Sequence, residues 1–535
     1  MQRRKFLGAS LSGLTALGLG GSGLGVLGRP SLAEEDAAAP RVPEAGEETP
    51  FDRAQLVEQA RQLATEPFSE RDKFAPERLP EMGYSEYNSI RYRHEEAVWA
   101  ERESPFRIEL FHPGLYFPRP VEIFVVEDGQ ARNLAFDKAL FDYADPEIEK
   151  QVAEDLGFVG FRAFHRSDWQ RDFLSFLGAS YFRAVGATMQ YGLSARGIAV
   201  ETSNLGNEEF PRFTAFWLER PEPAGAGLTV HALLDGQSLT GLYTFRAQPT
   251  INTEIDVTAS LFPRRELANV GIAPITSMYY AGENDWLERR LFRAEAHDSD
   301  GLAMHRGNGE WVWRPLANPN APRVSTFMDE TPRGFGLLQR DRDFDNYNDL
   351  GADYEDRPNL WIEPQGDWGP GHVELVELPT DDETFDNVVA YWRPQQPLQA
   401  GQEHQIAYRM FWGDGMPGRL ARPAQVTATR IGRAGRPGDR QPGLKFVVDF
   451  AGGMLDRLNQ DTELDARIDS SRGKVRLIEV VRIEENKSWR VEFDLDVSGG
   501  DTVDLRCFLS LGEQALSETW LYRLEPGEWN EILKG

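Results

Sequence analysis

Cysteine is almost absent from this chain of 535 residues, which contains only Cys507. A single thiol excludes an intrachain disulfide, even in an oxidising compartment. Cys507 lies on the same face of a predicted strand as Val503, Leu505 and Leu509. We therefore expect Cys507 to be a buried apolar residue and not a nucleophile. The C-x-x-C and H-E-x-x-H metal and redox patterns are missing, as is the G-x-S-x-G nucleophile elbow.

Positive charge is also scarce. The chain has 86 acidic and 58 basic residues, a net charge of −28 at pH 7. A surface this negative repels the phosphates of nucleic acids and anionic lipids, so we expect no nucleic-acid partner. Hydrophobic residues at 40% and aromatic residues at 11% are sufficient for a large core.

Long hydrophobic runs are missing after the first 33 residues. That segment begins with Arg3-Arg4-Lys5-Phe6-Leu7, continues as a Gly-, Ala- and Ser-rich apolar run and ends at Ser31-Leu32-Ala33. We therefore predict that residues 1–33 are a signal peptide, read by the twin-arginine export machinery, and that the mature protein is periplasmic. An uncleaved membrane anchor is the alternative, and the many glycines argue against it. The G-x-G-x-x-G string at 18–23 lies in this segment without a preceding strand, so it does not indicate a dinucleotide site.

The rest of the chain is organised as short strands. Residues 34–50 are acidic and rich in Pro and Ala, which predicts a disordered leader. Residues 51–64 predict one amphipathic helix with Leu56, Ala60 and Leu63 on its apolar face. We predict an all-β protein: a large antiparallel β-sandwich over 51–413, a Gly- and Pro-rich linker over 414–424 and an immunoglobulin-like β-sandwich over 425–535.

Three stretches, 297–311, 354–361 and 377–387, combine acids with Arg or Asn and aromatic residues. Carboxylates can perform acid–base chemistry, amides and guanidinium groups bond hydroxyls, and an aromatic ring covers the apolar face of a sugar. Each stretch alone is more typical of a solvated acidic loop than of a catalytic site. Asp341-x-Asp343-x-Asp345 resembles a calcium loop, but Asn346 and Ala352 replace the required Gly and Glu. We favour a solvated turn and predict neither a metal nor a cofactor.

Longer blocks of sequence resemble a known family. Residues 173–184 (FLSFLGASYFRA), 190–197 (QYGLSARG), 307–311 (GNGEW), 332–339 (PRGFGLLQ) and 517–522 (SETWLY) resemble the periplasmic glucan biosynthesis proteins G and D. The blocks occur in order across nearly the whole mature chain, and the twin-arginine start is more similar to the D type. The resemblance implies a large N-terminal β-sandwich with a cleft, joined to a smaller immunoglobulin-like domain. It also implies a role in the biosynthesis of osmoregulated periplasmic glucans, whose backbone is β-1,2-linked glucose.

The resemblance implies a chemistry as well. Some members are similar to inverting endo-β-1,2-glucanases, in which Asp386 would be the general acid and Asp298 the general base. Inversion needs two carboxyl groups about 6.5–9.5 Å apart, with room for a water, unless protons travel through a relay. The alternatives are a transglycosylase that closes a glucan ring and a non-catalytic glucan-binding factor.

The candidate sugar-binding residues come from the resemblance and from sugar-compatible chemistry, and we expect about half of them to touch the glucan. They are Tyr181, Arg183, Tyr191, Arg196, Arg306, Trp311, Tyr354, Arg357 and Trp361. The expected partner is β-1,2-glucan, and the oligomeric state is left open.

Overall fold

The computed structural model describes residues 46–69, 79, 81–100, 103–223, 225, 227–285, 292–418, 420, 422–435, 443–459, 461–497 and 499–534. The predicted signal peptide and residues 34–45 of the predicted leader lie outside this part of the chain. Among the helices that the structure describes, none has the length and apolarity needed to cross a membrane.

Strands dominate the described residues, as the sequence predicts. In the first half of the chain they are β1 Thr49–Pro50, β2 Arg91–Tyr92, β3 Phe106–Leu110, β4 Glu122–Glu127, β5 Gln130–Asn133, β6 Phe141–Asp142, β7 Gly160–His165, β8 Leu174–Leu177, β9 Tyr181–Ala184, β10 Ser194–Arg196, β11 Ile198–Val200, β12 Arg212–Glu219, β13 Leu228–Asp235, β14 Leu239–Pro249, β15 Thr253–Pro263, β16 Val270–Ser277 and β17 Tyr279–Ala281. In the second half they are β18 Ala296–His297, β19 Gly301–His305, β20 Trp311–Pro315, β21 Arg323–Asp329, β22 Gly334–Leu338, β23 Asn359–Pro364, β24 Gly371–Glu377, β25 Val388–Pro394, β26 His404–Gly413, β27 Gln425–Arg433, β28 Leu444–Ala451, β29 Asp465–Ser470, β30 Lys474–Ile483, β31 Ser488–Asp496, β32 Val503–Leu511, β33 Gln514–Ala515 and β34 Thr519–Leu524.

The described helices are short. They are α1 Arg53–Thr65, α2 Tyr84–Ser89, α3 Pro146–Gln151, α4 Phe344–Tyr347 and α5 Pro526–Lys534, with 3₁₀ turns at His94–Glu96, Lys138–Leu140, Tyr354–Asp356 and Leu455–Arg457. Asp52 caps α1 by accepting a hydrogen bond from the Ala54 N–H at 2.8 Å. The apolar face of α1 is buried at Leu56, Ala60 and Leu63, as its periodicity predicts.

Two large sheets form the body of the protein. One has sixteen strands, in the order β1-β5-β4-β12-β13-β14-β15-β26-β23-β22-β19-β20-β34-β32-β29 with β33 beside β32. The other has ten, in the order β21-β24-β25-β16-β10-β9-β8-β7-β3 with β11 beside β16. Their inner faces meet in an aromatic core, where Phe176 and Phe182 each lie 5.1 Å from the ring of Phe245. The predicted all-β sandwich is therefore confirmed.

The C-terminal strands complete the larger sheet instead of standing apart from it. β34 pairs in parallel with β20, with Trp520 opposite Trp313. A four-stranded sheet, β27-β28-β31-β30, covers this end, and the ring of Phe446 on β28 lies 6.0 Å from that of Trp520. Because one sheet runs through both parts, the division into two domains at 414–424 stays a prediction.

Two local predictions are met. Cys507 on β32 is fully buried, and burial raises the pKa of its thiol, which suppresses nucleophilicity. In the calcium-like segment, Asp343 caps α4, and Asp341 accepts hydrogen bonds from the Asp343 N–H at 2.8 Å and Asn346 Nδ2 at 2.6 Å. These acids cap a turn, which is the structure we favoured.

Candidate active site

A two-stranded sheet, β17–β18, lies beside both candidate catalytic aspartates. Tyr279 on β17 pairs with His297 on β18, and Asp298 follows directly. The side chain of Asn387 joins the same sheet: its Oδ1 accepts the Tyr279 N–H at 2.8 Å, and its Nδ2 donates to Tyr279 O and Leu378 O at 2.9 Å. Asp386 precedes Asn387, so each aspartate is next to a residue that contacts Tyr279: His297 pairs with it across the sheet, and Asn387 bonds to its backbone.

Asp298 forms a buried ion pair with an arginine. Its backbone N–H donates to Met278 O at 2.8 Å, and its carboxylate pairs with Nη1 of Arg357. Both side chains are buried, so the ion pair is shielded from solvent. Arg357 also donates from Nε to Ala352 O at 3.1 Å and lies over the ring of Tyr354 at 4.2 Å. Burial lowers the Arg357 pKa, but the charges of Asp298, Tyr354 and Asp386 outweigh it, so the net shift is upward.

Asp386 lies between two arginines. Nη2 of Arg183 is 3.6 Å from its Oδ2, and Arg357 interacts with it electrostatically. Arg183 is on β9, where Phe182 and Ala184 belong to the sandwich core. Alternation along the strand therefore directs Arg183 to the outer face of the ten-stranded sheet, which is where the candidate site is built.

Three further charged side chains lie around Tyr354. Its hydroxyl donates to Glu383 at 3.4 Å, and Arg293 pairs with both Glu383 and Asp349. The guanidinium of Arg293 lies 5.2 Å from the Tyr354 ring. Glu383 therefore belongs to the surroundings of the aspartate pair without touching either aspartate in these contacts.

A row of polar residues continues the outer face away from Asp386. Glu109, Arg162, Ser175 and Arg183 are successive cross-strand neighbours on β3, β7, β8 and β9. Arg162 donates to Glu109 at 2.7 and 2.9 Å, and its Nη1 is 4.0 Å from Asp172. The outer face of the ten-stranded sheet therefore carries a continuous row of polar side chains.

The predicted binding residue Tyr191 joins this row. Its hydroxyl donates to Asp172 at 2.6 Å. Burial raises the pKa of both side chains, so the phenol keeps its proton for this bond.

Tyr181 and Arg196 lie at a different place. Arg196 is buried over the rings of Tyr181 at 5.5 Å and Phe210 at 5.7 Å, and it pairs with Glu208 at 2.9 Å. Tyr181 lines a cavity of about 1620 Å³ beside the turn between β8 and β9, and neither candidate aspartate lines it.

Arg306, Trp311 and Trp361 pack towards the C-terminal strands. Trp311 and Trp361 stack at 5.6 Å within the core that includes Trp520, and both are buried. Arg306 donates to Glu310 at 3.0 Å and to Met328 O at 2.7 Å. Their role in sugar binding stays a prediction, and this packing adds no support to it, because a ring face in a core is not available for stacking on sugar.

Three side chains that could act as metal ligands lie next to the aspartate pair. Donor atoms of Glu295, His297 and Asp300 lie within 4.8 Å of one another, which is a spacing that a metal ion could span. They border a small cavity of about 30 Å³. Residues 426–429 of β27 line the other side of this cavity.

Sequence reasoning missed the residues that position the pair. Asn387, Gln339 and Arg293 were not predicted, although Asn387 directly follows a candidate aspartate. An amide adjacent to a catalytic carboxyl was the available signal. Gln339 lay at the end of a family-like block, where nothing in the residue type distinguished it from a surface glutamine.

The fold and the site define an all-β protein with a buried pair of carboxylates held by arginines. The family described as "Periplasmic glucan biosynthesis protein, MdoG" matches residues 51–524. The chain is 47% identical to "Probable glucans biosynthesis protein D" of Shewanella oneidensis, with 91% of each chain covered. It is 44% identical to glucans biosynthesis protein D of Stenotrophomonas maltophilia and 45% identical to that of Xanthomonas axonopodis pv. citri, with 98% of each chain covered.

The chain belongs to the periplasmic glucan biosynthesis protein family, which confirms the resemblance found in the sequence. The relatives named above carry the D-type name throughout. The family description associates its members with the periplasm and with glucan biosynthesis.

Proposed function

We propose that this protein controls the backbone of a periplasmic glucan by cutting it, as an inverting endo-β-1,2-glucanase. One observation carries the proposal: Asp298 and Asp386 are both buried, both tied to Tyr279 through neighbouring residues, and both within the field of Arg357. Two carboxyl groups in one site are what glycoside hydrolysis requires, and the anomer released first distinguishes inversion from retention.

The two aspartates take different roles. Asp386 gives its proton to the leaving glycosidic oxygen as the C–O bond breaks, and a water attacks the anomeric carbon from the opposite side. Asp298, held as a carboxylate by Arg357, accepts a proton from that water, directly or through a relay. Asp298 then gives up this proton and Asp386 regains one before the next cycle, so atoms and charge balance.

The test is product analysis on linear β-1,2-glucan. An inverting enzyme acting on a β-linkage releases the α-anomer first, which proton NMR detects before mutarotation. Removal of a general acid or base commonly costs about 10²–10⁴-fold in rate. We therefore expect Asp386→Asn and Asp298→Asn to lose turnover by that factor while retaining the fold and glucan binding.

Asp381→Asn is the matched control, because Asp381 is exposed in the same segment as Asp386. Its rate should be unchanged. Asp300→Asn and Glu383→Gln are expected to retain more activity than either catalytic variant. Unmodified hydrolysis by Asp386→Asn would contradict the assignment.

Transglycosylation is the second candidate, and the depth of the aspartates favours it. Asp298 is 4% and Asp386 6% exposed, so a bound glucan would close the site to bulk water and leave a sugar hydroxyl as the nearer acceptor. Cyclic or lengthened products in the same assay would identify this chemistry. Tight glucan binding with no product of either kind would identify a binding factor.

We propose export through the twin-arginine machinery, with cleavage after Ala33. The residues concerned lie outside the described part of the chain, and the sequence Arg3-Arg4 supports the proposal. Changing both arginines to lysine should leave the precursor in the cytoplasm, as cell fractionation measures. Normal periplasmic accumulation of that variant would refute this route.

A further inference from the structure

His297 lies at the centre of a buried network beside the candidate active site. Its side chain is 1% exposed and is stacked on the ring of Tyr279 at 5.4 Å, with the edge of Tyr347 at 5.3 Å. Both ring nitrogens are engaged, so the hydrogen-bonding groups around them determine where its protons are.

The groups around Gln339 define one side of the ring. Gln339 Nε2 donates to His297 O at 2.9 Å and to Tyr354 O at 3.0 Å, and Tyr347 Oη is also 3.0 Å away. Two of these are carbonyl oxygens, which can only accept, so the amide nitrogen must face them. The amide oxygen then faces His297 Nδ1 at 2.8 Å, and Nδ1 must carry a hydrogen.

Two carboxyl groups define the other side. His297 Nε2 is 2.8 Å from Oε2 of Glu295 and 3.3 Å from Oδ1 of Asp300. The other oxygen of Asp300 accepts the backbone N–H groups of Arg340 and Asp341. A bare lone pair on Nε2 would face both carboxylates, whereas an N–H bonds them.

We propose that His297 is a positioning residue whose two ring nitrogens both carry hydrogen, so that the ring joins Gln339 on one side to Glu295 and Asp300 on the other and thereby fixes Asp298 and its partner Arg357. The effect on rate rests on the proposed function, whereas the protonation does not.

The link to the site runs through the backbone on both sides. Gln339 holds the carbonyl of His297, the residue before Asp298, and the carbonyl of Tyr354, whose ring supports Arg357. The same amide therefore sets both members of the Asp298–Arg357 pair. Loss of the ring charge would leave two carboxylates opposed and displace the chain that carries Asp298.

The surrounding charges agree with this assignment. Burial lowers the pKa of His297, but Asp300 and Glu295 more than offset it, and the pKa rises to about 9. Burial raises the pKa of Asp300, and its bonds to His297 and the two backbone N–H groups oppose this. The other titratable groups that line or flank the same small cavity are Glu283, Asp341, Arg340, Tyr279 and Tyr347.

Nitrogen NMR on the whole protein tests the protonation directly. In protein labelled with ¹⁵N-histidine, the signals that disappear in His297→Gln belong to His297. We expect both of its ring nitrogens to carry hydrogen from pH 6 to 8 and to titrate near pH 9. A neutral ring at pH 7 would overturn the proposal. A stoichiometric divalent metal in the purified protein, with Nε2 unprotonated, would overturn it in favour of a metal site.

The positioning role is tested by kinetics on β-1,2-glucan. Misplacement of a reacting group by about 1 Å can cost about 10²-fold, so His297→Gln should lower kcat by about 10- to 100-fold with KM changed less than about twofold. His165→Gln, at the half-buried last residue of β7 and outside the network around His297, is the control and should match the unmodified protein. Unchanged kcat in His297→Gln would refute the positioning role, and if this variant fails to fold, the NMR of the unmodified protein still decides the protonation. Activity absent from the unmodified protein would refute the proposed function alone.

Discussion

Arg183 and Arg357 bring two positive charges to a pair of aspartates that must behave differently. Arg357 pairs with Asp298, which suits a base, because the base has to be ionised. Arg183 lies 3.6 Å from Asp386, and a nearby cation favours the ionised carboxylate. In the proposed mechanism Asp386 is the general acid and needs its proton, so we expect Arg183 to limit the pH range of the reaction.

This gives a prediction at the level of one side chain. Arg183→Met should shift the alkaline limb of the pH–rate profile on β-1,2-glucan to higher pH, by about one unit, because the acid then keeps its proton longer. Arg183→Lys retains the charge and should leave the limb near its original position. An unmoved limb in Arg183→Met would argue against Asp386 as the acid.

Resemblance and residue type named the candidate residues, and the structure brings only some of them together. Asp298, Asp386, Arg183 and Arg357 were named by resemblance, and the structure brings them together. Trp361 was named on the same chemistry, yet it packs in a core. Tryptophan and arginine serve a sugar cleft and a sandwich interior equally well, and only the neighbours across the sheet decide between these uses.

At the scale of elements, the short sheet β17–β18 and the Asn387 amide form one unit. Asn387 makes three hydrogen bonds in a fully buried position, two of them to the backbone of Tyr279. Asn387→Ala leaves those backbone groups without partners, which costs about 1–3 kcal/mol for each group left unsatisfied.

We therefore expect Asn387→Ala to lower the free energy of unfolding by at least about 1 kcal/mol in urea titrations, and to lower kcat more than it changes KM. Asn204→Ala, on an exposed turn, provides the comparison and should be near neutral. Full stability and rate in Asn387→Ala would show that this amide does not position Asp386.

Strands were predictable from alternation, whereas their partners were not. In β31 the buried Trp489, Val491, Phe493 and Leu495 alternate with charged residues, and the sequence shows this directly. The parallel pair of β20 with β34 joins residues 312–313 to 519–520, and no local pattern encodes a contact over that separation. Residues 414–424 are rich in Gly and Pro, which predicted a linker. Composition does not show which strands on either side of a linker pair with one another.

For the whole molecule, buried titratable groups set how stability depends on pH. The pKa of His297 is raised to about 9 by Asp300 and Glu295 against burial, and that of Glu283 to about 8 by burial. A group whose pKa is raised on folding stabilises the folded state fully below its unfolded pKa. This stabilisation is lost as pH rises through the pKa of the folded state. Burial lowers the pKa of His112 to about 4, so its contribution is present above the unfolded value and lost as pH falls.

The free energy of unfolding should therefore be greatest between about pH 5 and 6.5 and fall steadily from about pH 6.5 to 9. Urea titrations across this range measure it. His297→Gln should flatten the alkaline decline, since one of the two responsible groups is gone. A decline of the same slope in that variant would assign it to other residues.

The pairing of β20 with β34 has a consequence for the order in which the chain folds. β20 receives its outer neighbour from residues 519–524, so that neighbour is synthesised long after β20 itself. Contacts over so long a separation form slowly. Until they form, β20 is an open edge with free N–H and C=O groups, a template for pairing with another chain. A chain that stops before residue 519 would keep this edge open to other chains.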